Sequence, residues 1–188
     1  LTLDVLPEHH GGATTPAVAT REWRRIAPFK IILADPPAQT DDYDKAYPNL
    51  GILQLISYTR ENTPLSDDDI IFLDQFHTTE DHLRAIEEHR PRIYGMSFAF
   101  LTQRVAYDTL NAIKRRFPEL IVIAGGPHPT SVPEVVMEKT LADIVCIGEG
   151  EMTLADIVNV VASGGDDFTK IPGLLLRTPD GPLHTGKP

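Results

Sequence analysis

The sequence predicts an α/β protein built on a doubly wound, five-stranded parallel sheet with a C-terminal hairpin. Five short apolar runs recur along the chain, and each is followed by a segment whose apolar residues have helical spacing. Each run is apolar at successive positions rather than at alternate ones, which is typical of parallel strands buried on both faces. This alternation of strand and helix favours a Rossmann-like or flavodoxin-like sheet with the strand order 2-1-3-4-5.

The predicted strands are short and evenly spaced. They cover residues 29–34, 69–74, 92–97, 120–124 and 143–147. The predicted helices cover residues 48–60, 79–89, 102–117, 132–139 and 148–162. In the first helix the apolar residues at positions 50, 52, 53, 55 and 56 give a wide buried face. Pro133 suits the first turn of the fourth helix, because the N–H that proline lacks has no partner there.

The chain divides into three predicted parts. Residues 1–28 are rich in turn-forming residues and lack a lasting period, so we expect an irregular arm. Residues 29–163 form the predicted α/β domain. Residues 164–188 begin with a Gly-Gly-Asp-Asp linker and continue into a hairpin around Pro179-Asp-Gly181. We expect this hairpin to be an appendage that leads toward a following domain.

Composition disfavours several classes of function. The 188 residues carry a formal net charge of −10, which argues against nucleic acid and anionic membranes as partners. No apolar run approaches the roughly 20 residues of a membrane span, and no signal-peptide pattern is present. Cys146, which we expect in the core, is the only cysteine, so a disulfide framework or a cysteine cluster is excluded. These features favour a cytoplasmic protein.

Four loops are predicted to meet at the carboxyl ends of the parallel strands, the edge where open α/β sheets bind their ligands. They are residues 35–40, 97–102, 125–130 and 148–151. The third loop begins with Gly125-Gly126-Pro-His, and its glycines have no Cβ that would keep a ligand away from the backbone. Without a ligand, the same loop is a tight turn that reverses the chain.

The familiar ligands of such sheets do not fit these loops. A dinucleotide needs Gly-x-Gly-x-x-Gly after the first strand, where this chain has Asp35-Pro-Pro. The partial match at Gly148 follows the fifth strand, and its two glutamates would repel a phosphate. The sequence also lacks the motifs of a phosphorelay receiver, a flavodoxin phosphate loop and a hydrolase nucleophile elbow. What remains is a large, mostly apolar ligand, for which Phe98 and Phe100 would supply aromatic walls.

Three motifs carry a resemblance to a known family. They are Pro-Asn-Leu-Gly-Ile-Leu-Gln-Leu from Pro48, Gly-Gly-Pro-His-Pro-Thr from Gly125, and Gly-Glu-Gly-Glu-Met-Thr-Leu from Gly148. Over roughly residues 29–177, the chain resembles the cobalamin-binding domain of cobalamin-dependent radical S-adenosylmethionine enzymes. The resemblance implies that a corrinoid lies flat on the carboxyl edge and that its nucleotide tail enters the domain. It also implies a barrel domain, in the same chain or another subunit, that holds an iron–sulfur cluster and S-adenosylmethionine.

The resemblance implies cobalamin as the cofactor of this chain, within a methyltransferase or a related enzyme. The expected contact residues are Pro37, Ser97, Phe98, Ala99, Phe100, Gly125, Gly126, Pro127, His128, Gly148, Glu149, Gly150 and Glu151. We expect no catalytic residue and no metal ligand in the chain itself. The sequence departs from the full family pattern, because the Cys-x-x-x-Cys-x-x-Cys motif of the barrel is absent.

Several residues keep more than one interpretation. The cobalt-ligating Asp-x-His-x-x-Gly motif of methionine synthase is absent after the first strand, in agreement with the family resembled, which usually has no histidine ligand. His128 is the available substitute, but it could equally hydrogen-bond a corrin amide or a backbone carbonyl, or have no role toward the ligand. Glu149 and Glu151 either contact corrin amides or are ordinary first-turn helix residues. Tyr43 and Tyr47 would form a lid or a domain interface.

Two rival functions remain open at this point. A small hydrolase or transferase would use Asp35 and His128, and it needs these two side chains within hydrogen-bonding reach. An interaction module without a corrinoid would use the hairpin and the tyrosines as its binding surface.

Overall fold

The computed structural model describes residues 29–38 and 49–187. The predicted N-terminal arm and the tyrosines at positions 43 and 47 lie outside these residues. The described residues form a seven-stranded sheet in the order β2-β1-β3-β4-β5-β6-β7. The strands are β1 (Ile31–Ala34), β2 (Ile70–Leu73), β3 (Ile93–Ser97), β4 (Ile121–Gly125), β5 (Ile144–Cys146), β6 (Leu174–Thr178) and β7 (Gly181–His184).

The α-helices of the described residues flank this sheet. They are α1 (Leu50–Asn62), α2 (Thr79–His89), α3 (Gln103–Arg116), α4 (Pro127–Ser131), α5 (Pro133–Lys139) and α6 (Glu151–Ala162). Helix α2 has the bounds that the sequence predicted, and the other predicted helices agree to within a few residues. None of the helices in this part of the chain is long and apolar enough to cross a membrane.

Strands β1 to β5 are parallel, and the predicted order 2-1-3-4-5 is confirmed. Strand β1 lies between β2 and β3, where Ile32 is level with Ile71 on one side and with Tyr94 on the other. The chain therefore winds in one direction from β1 to β2 and in the other from β3 to β5. Such a reversal opens a crevice at the carboxyl ends of the two strands beside it, here β1 and β3.

Two apolar cores cover the two faces of the sheet, because successive side chains of a strand point to opposite faces. On the first face, Ile31 and Leu33 of β1 pack with residues of α1 and α6. On the second face, Ile32 and Ala34 of the same strand pack with residues of α2, α3 and α5. Burial of each strand on both faces explains why the strands are apolar at successive positions.

The hairpin of β6 and β7 belongs to the sheet, so the expectation that it is an appendage is wrong. Strand β6 pairs with β5 in the antiparallel direction, and Leu176 lies opposite Ile144. Leu174 and Leu175 are both fully buried, one in the core of each face. Three leucines in succession give this strand an apolar side chain toward both layers of helices. Where the domain ends along the chain stays a prediction.

The loop predicted over residues 125–130 contains the end of a strand and a helix. Strand β4 continues through Gly125, and α4 begins at Pro127. Backbone hydrogen bonds from Thr130 N to Gly126 O and from Val132 N to His128 O, each 3.1 Å long, define this short helix. Pro127 stands at its first position, where proline fits best.

A buried tyrosine–histidine pair fastens α2 to β3 on the second face. The Nδ1 atom of His82 lies 2.6 Å from the hydroxyl oxygen of Tyr94, and both side chains are fully buried. Burial lowers the pKa of His82 to about 4 and raises the pKa of Tyr94 well above its ordinary value. Both groups are therefore neutral at neutral pH, and the hydrogen bond joins two uncharged partners.

Candidate functional site

A groove with a volume of about 690 Å³ opens at the carboxyl edge of the parallel strands. It runs between the first face of the sheet and the helices α1 and α6. Its floor is made by residues of β1, β3, β4 and β5 that face this side: Leu33, Gly95, Ile123 and Cys146. Its walls are made by side chains of the two helices: Ile52, Leu55 and Leu154. Cofactor sites typically have volumes of roughly 300–1,000 Å³ and such apolar linings.

Two glycines leave gaps in the floor of this groove. A Cβ atom on Gly95 would lie 3.1 Å from Cδ2 of Leu33, and one on Gly125 would lie 3.7 Å from Cβ of Cys146. Neither glycine has a positive φ angle, so neither is required by the backbone conformation. What these two glycines provide is space between the sheet and the helices.

Gly126 is a glycine for a different reason. Its backbone has φ +96° and ψ −172°, a conformation that is nearly exclusive to glycine. A Cβ atom here would lie 2.7 Å from Oγ of Ser97 and 2.8 Å from the backbone nitrogen of Phe98. The loop after β3 already occupies this space, so the expectation that Gly126 clears room for a ligand is wrong. Gly126 nevertheless borders the groove through its backbone.

Asn49 ties the segment after β1 to the start of α1 at the mouth of the groove. Its Nδ2 atom donates a hydrogen bond of 2.6 Å to Oδ1 of Asp35, and its Oδ1 accepts one of 3.3 Å from the backbone N–H of Ile52. The second bond makes Asn49 the N-cap of α1. Burial raises the pKa of the Asp35 carboxyl, the bond from Asn49 lowers it in part, and the charge of Asp74 raises it again.

The two predicted aromatic walls have different positions. The ring of Phe98 is buried on the second face, and its centroid lies 5.9 Å from that of Tyr107 in an edge-to-face arrangement. Phe98 borders the groove at the end of β3, but its ring belongs to the opposite core. Phe100 is 66% exposed and does not border the groove. The walls of the groove are therefore made by aliphatic side chains of α1 and α6, and not by the two predicted phenylalanine rings.

His128 is buried outside the groove and has a protein partner. Its Nε2 atom lies 2.7 Å from the hydroxyl oxygen of Tyr107, and its ring packs against those of Phe98 and Phe100. Burial lowers the pKa of the imidazole. Of the three interpretations of His128, these contacts favour the one without a role toward the ligand, because the side chain is only 7% exposed and its ring nitrogen is bonded to Tyr107.

The segment after β5 forms the other side of the groove mouth. The backbone N–H of Gly148, a residue with φ +88°, donates a hydrogen bond of 3.1 Å to Oγ1 of Thr130. A Cβ atom on Gly150 would lie 3.0 Å from Cδ2 of Leu55, so this glycine lets α6 approach α1 closely. Glu149 is exposed and Glu151 half-buried, and both border the groove near the N-terminus of α6, where a carboxylate is favoured.

The groove brings together most of the predicted contact residues. Those that border it are Ser97, Phe98, Ala99, Gly125, Gly126, Pro127, Gly148, Glu149, Gly150 and Glu151. Those that do not are Pro37, Phe100 and His128. The sequence analysis missed other bordering residues, including Asn49, Gly51, Gln75, Gly95, Thr102 and Thr130. An asparagine directly before a helical pattern is a recognisable N-cap signal, so Asn49 could have been found.

The geometry does not support the rival hydrolase or transferase. Asp35 hydrogen-bonds Asn49, and His128 hydrogen-bonds Tyr107; no hydrogen bond joins Asp35 to His128. Within residues 29–38 and 49–187, no group of three or more acidic, histidine or cysteine side chains could hold a metal ion.

The fold and the groove are those of an open α/β domain with space for a large, partly apolar cofactor at its switch point. The family model for the B12 binding domain matches residues 40–158, which is more than half of the sequence. The chain therefore belongs to the B12-binding domain family, and its cofactor is cobalamin.

Two proteins named as methyltransferases are similar to parts of this chain. The uncharacterized methyltransferase PH0819 of Pyrococcus horikoshii is 30% identical over 140 residues, which cover 72% of this chain and 30% of that protein. The cobalamin-dependent radical SAM methyltransferase TokK of Streptomyces tokunonensis is 35% identical over 88 residues, covering 46% of this chain and 13% of TokK. The chain thus spans less than a third of the length of either relative.

A solved structure has the same fold. The cobalamin-dependent S-adenosylmethionine radical enzyme OxsB, with aqua-cobalamin and S-adenosylmethionine bound, superposes with a TM-score of 0.71. The match covers 85% of this chain and 22% of OxsB at 20% sequence identity. At this identity the likeness concerns the fold alone.

Proposed function

We propose that this chain is the cobalamin-binding part of a radical S-adenosylmethionine methyltransferase. The nucleotide tail of the cofactor enters the groove, and the corrin ring lies on the carboxyl edge of the sheet. The observation that carries this proposal is the pair of floor glycines, Gly95 and Gly125, which leave the groove deep although their backbone conformation does not require glycine.

The residues at the groove suit the two ends of such a ligand. An aromatic base can pack between the aliphatic walls from Ile52, Leu55 and Leu154, because these side chains exclude water from its faces. At the mouth, Asn49 and Gln75 offer amide groups to the polar linker and amides of the ligand. The groove therefore fits the chemistry of cobalamin, with an apolar interior and a polar rim.

The residues of this chain bind and orient the cofactor. Cobalamin supplies a cobalt centre that carries a methyl group. Cys146 is buried in the floor, and burial raises its pKa to about 12, so that it remains a thiol at neutral pH and supplies no thiolate ligand. Since His128 is bonded to Tyr107 and lies outside the groove, we propose that no nitrogen of this chain ligates cobalt.

The radical chemistry requires residues beyond this sequence. The single cysteine of this sequence, Cys146, is buried in the core, whereas the iron–sulfur cluster of such an enzyme is held by several cysteines. We propose that a barrel domain, in the same chain or in a partner subunit, supplies the cluster and covers the cofactor. Exposed apolar side chains support a cover, because Leu50, Leu101 and Met152 are 76%, 86% and 68% exposed at the carboxyl edge.

The proposal predicts that the purified chain binds cobalamin without any other protein. After the chain is mixed with hydroxocobalamin and passed through a gel-filtration column, we expect corrinoid to elute with the protein in a stoichiometric amount, with a changed visible spectrum. Haem serves as the control, because a surface that captures any flat macrocycle would retain it equally well. Elution of the protein free of corrinoid would contradict the proposal and favour the interaction module.

A further inference from the structure

Helix α4 joins three separate parts of the proposed cofactor edge. The backbone N–H of His128 donates a hydrogen bond of 3.1 Å to the carbonyl oxygen of Phe98, in the loop after β3. Oγ1 of Thr130 accepts one of 3.1 Å from the backbone N–H of Gly148, in the loop after β5. Strand β4 leads directly into this helix. The position of α4 therefore sets the positions of the loops after β3 and β5 relative to the end of β4.

Tyr107 fastens this short helix to the long helix α3. Its hydroxyl oxygen lies 2.7 Å from Nε2 of His128, and its ring lies 5.9 Å from the rings of both His128 and Phe98. A neutral imidazole has one acceptor nitrogen, to which the tyrosine hydroxyl can donate. Neither Tyr107 nor His128 borders the groove, so their hydrogen bond would affect a bound ligand only through the residues that they hold in place.

We infer that Tyr107 is a positioning residue for cobalamin binding. It holds the β4–α4 corner and the Gly148 loop in the binding geometry before the ligand arrives, through His128. This inference rests on the proposed function. Its physical basis is that loops ordered in advance lose less conformational freedom on binding, and the affinity rises accordingly.

The chain offers a matched control for this hydrogen bond. Tyr94 makes the same kind of bond to His82, with a length of 2.6 Å, and both residues are fully buried. Neither residue borders the groove, and their hydrogen bond joins α2 to β3 rather than to α4. Removal of the Tyr94 hydroxyl should therefore affect stability at least as much as removal of the Tyr107 hydroxyl, without affecting the cofactor edge.

The test compares Tyr107→Phe with Tyr94→Phe in the whole chain. For each, the dissociation constant for hydroxocobalamin and the urea unfolding midpoint are measured. We expect Tyr107→Phe to weaken binding about 3- to 10-fold, the effect of losing one hydrogen bond. Tyr94→Phe should lower the midpoint and leave the dissociation constant unchanged within about twofold.

A double variant tests whether Tyr107 acts through His128. His128→Gln alone should also weaken binding, and Tyr107→Phe combined with His128→Gln should bind no more weakly than the weaker single variant. Losses that multiply would overturn the inference, and so would equal binding by the parent and Tyr107→Phe. A parent chain that binds no hydroxocobalamin would overturn the proposed function itself, and this inference with it.

Discussion

The substitution Gly95→Val is expected to weaken cobalamin binding by roughly 100-fold, since forcing methyl groups into space that a ligand fills costs about 1–3 kcal/mol. The valine side chain would point from the middle of β3 into the groove, where a Cβ atom already comes within 3.1 Å of Cδ2 of Leu33. Valine favours strands, and the surrounding side chains are apolar. The strand preference of valine and the shift that Leu33 must make to admit the new Cβ atom act in opposite directions, so we expect the melting temperature to stay close to that of the parent.

Two controls separate a filled groove from a damaged fold. Gly95→Ala adds a single carbon and should weaken binding much less than Gly95→Val. Cobinamide, a corrinoid without the nucleotide tail, should bind to the parent and to Gly95→Val with the same affinity, because its ring does not enter the groove. If isothermal titration finds that Gly95→Val binds cobalamin as tightly as the parent, the groove is not the site of the tail.

The substitution Gly126→Ala is expected to lower the free energy of unfolding by about 3 kcal/mol, from backbone strain together with a steric clash. The φ angle of +96° already disfavours alanine, and the new Cβ atom would lie 2.8 Å from the backbone nitrogen of Phe98. That nitrogen cannot move freely, because it donates a hydrogen bond of 3.0 Å to the carbonyl oxygen of Gly125. Urea unfolding measures this loss directly.

Gly164 provides the matched control for this prediction. It has a similar φ angle of +80°, but a Cβ atom on it would meet nothing within 4 Å. Gly164→Ala should therefore lower the free energy of unfolding only by the cost of the backbone conformation, about 1 kcal/mol. Equal losses from the two substitutions would show that the Cβ atom on Gly126 meets no real obstacle. Weakened cobalamin binding in Gly126→Ala would follow from the displaced loop, so that variant cannot identify a ligand contact.

Local sequence signals predicted the parallel strands well, but they did not predict helix α4 or the place of the β6–β7 hairpin in the sheet. Apolar runs such as Ile31–Ala34 fit only a strand buried on both faces, which led to the correct order of five strands. Helix α4 was missed because Pro-His-Pro-Thr is typical of a loop. The place of the hairpin depends on pairing between Leu174–Thr178 and β5, a contact distant in sequence. The three leucines at its start are a signal of a strand with two apolar faces that the sequence analysis did not use.

The sequence indicated which loops border the groove and did not indicate what lies beneath them. Glycines at the ends of strands identify an edge where a ligand approaches, and the loops at Gly125 and Gly148 do border the groove. The role of Gly95 depends on how far α1 stands from β3, and no local pattern encodes this distance. The bond between Tyr107 and His128 joins residues on different helices, so neither residue alone indicated it.

The central claim is that the groove holds the nucleotide tail of cobalamin and that no nitrogen ligates the cobalt. Electron paramagnetic resonance of the cob(II)alamin complex tests it most directly, because an axial nitrogen splits the cobalt signal. We predict a spectrum without nitrogen superhyperfine splitting. A splitting that disappears in His128→Ala would make His128 a ligand, and one that persists there would show that the tail still binds cobalt outside the groove. Either result would contradict the claim.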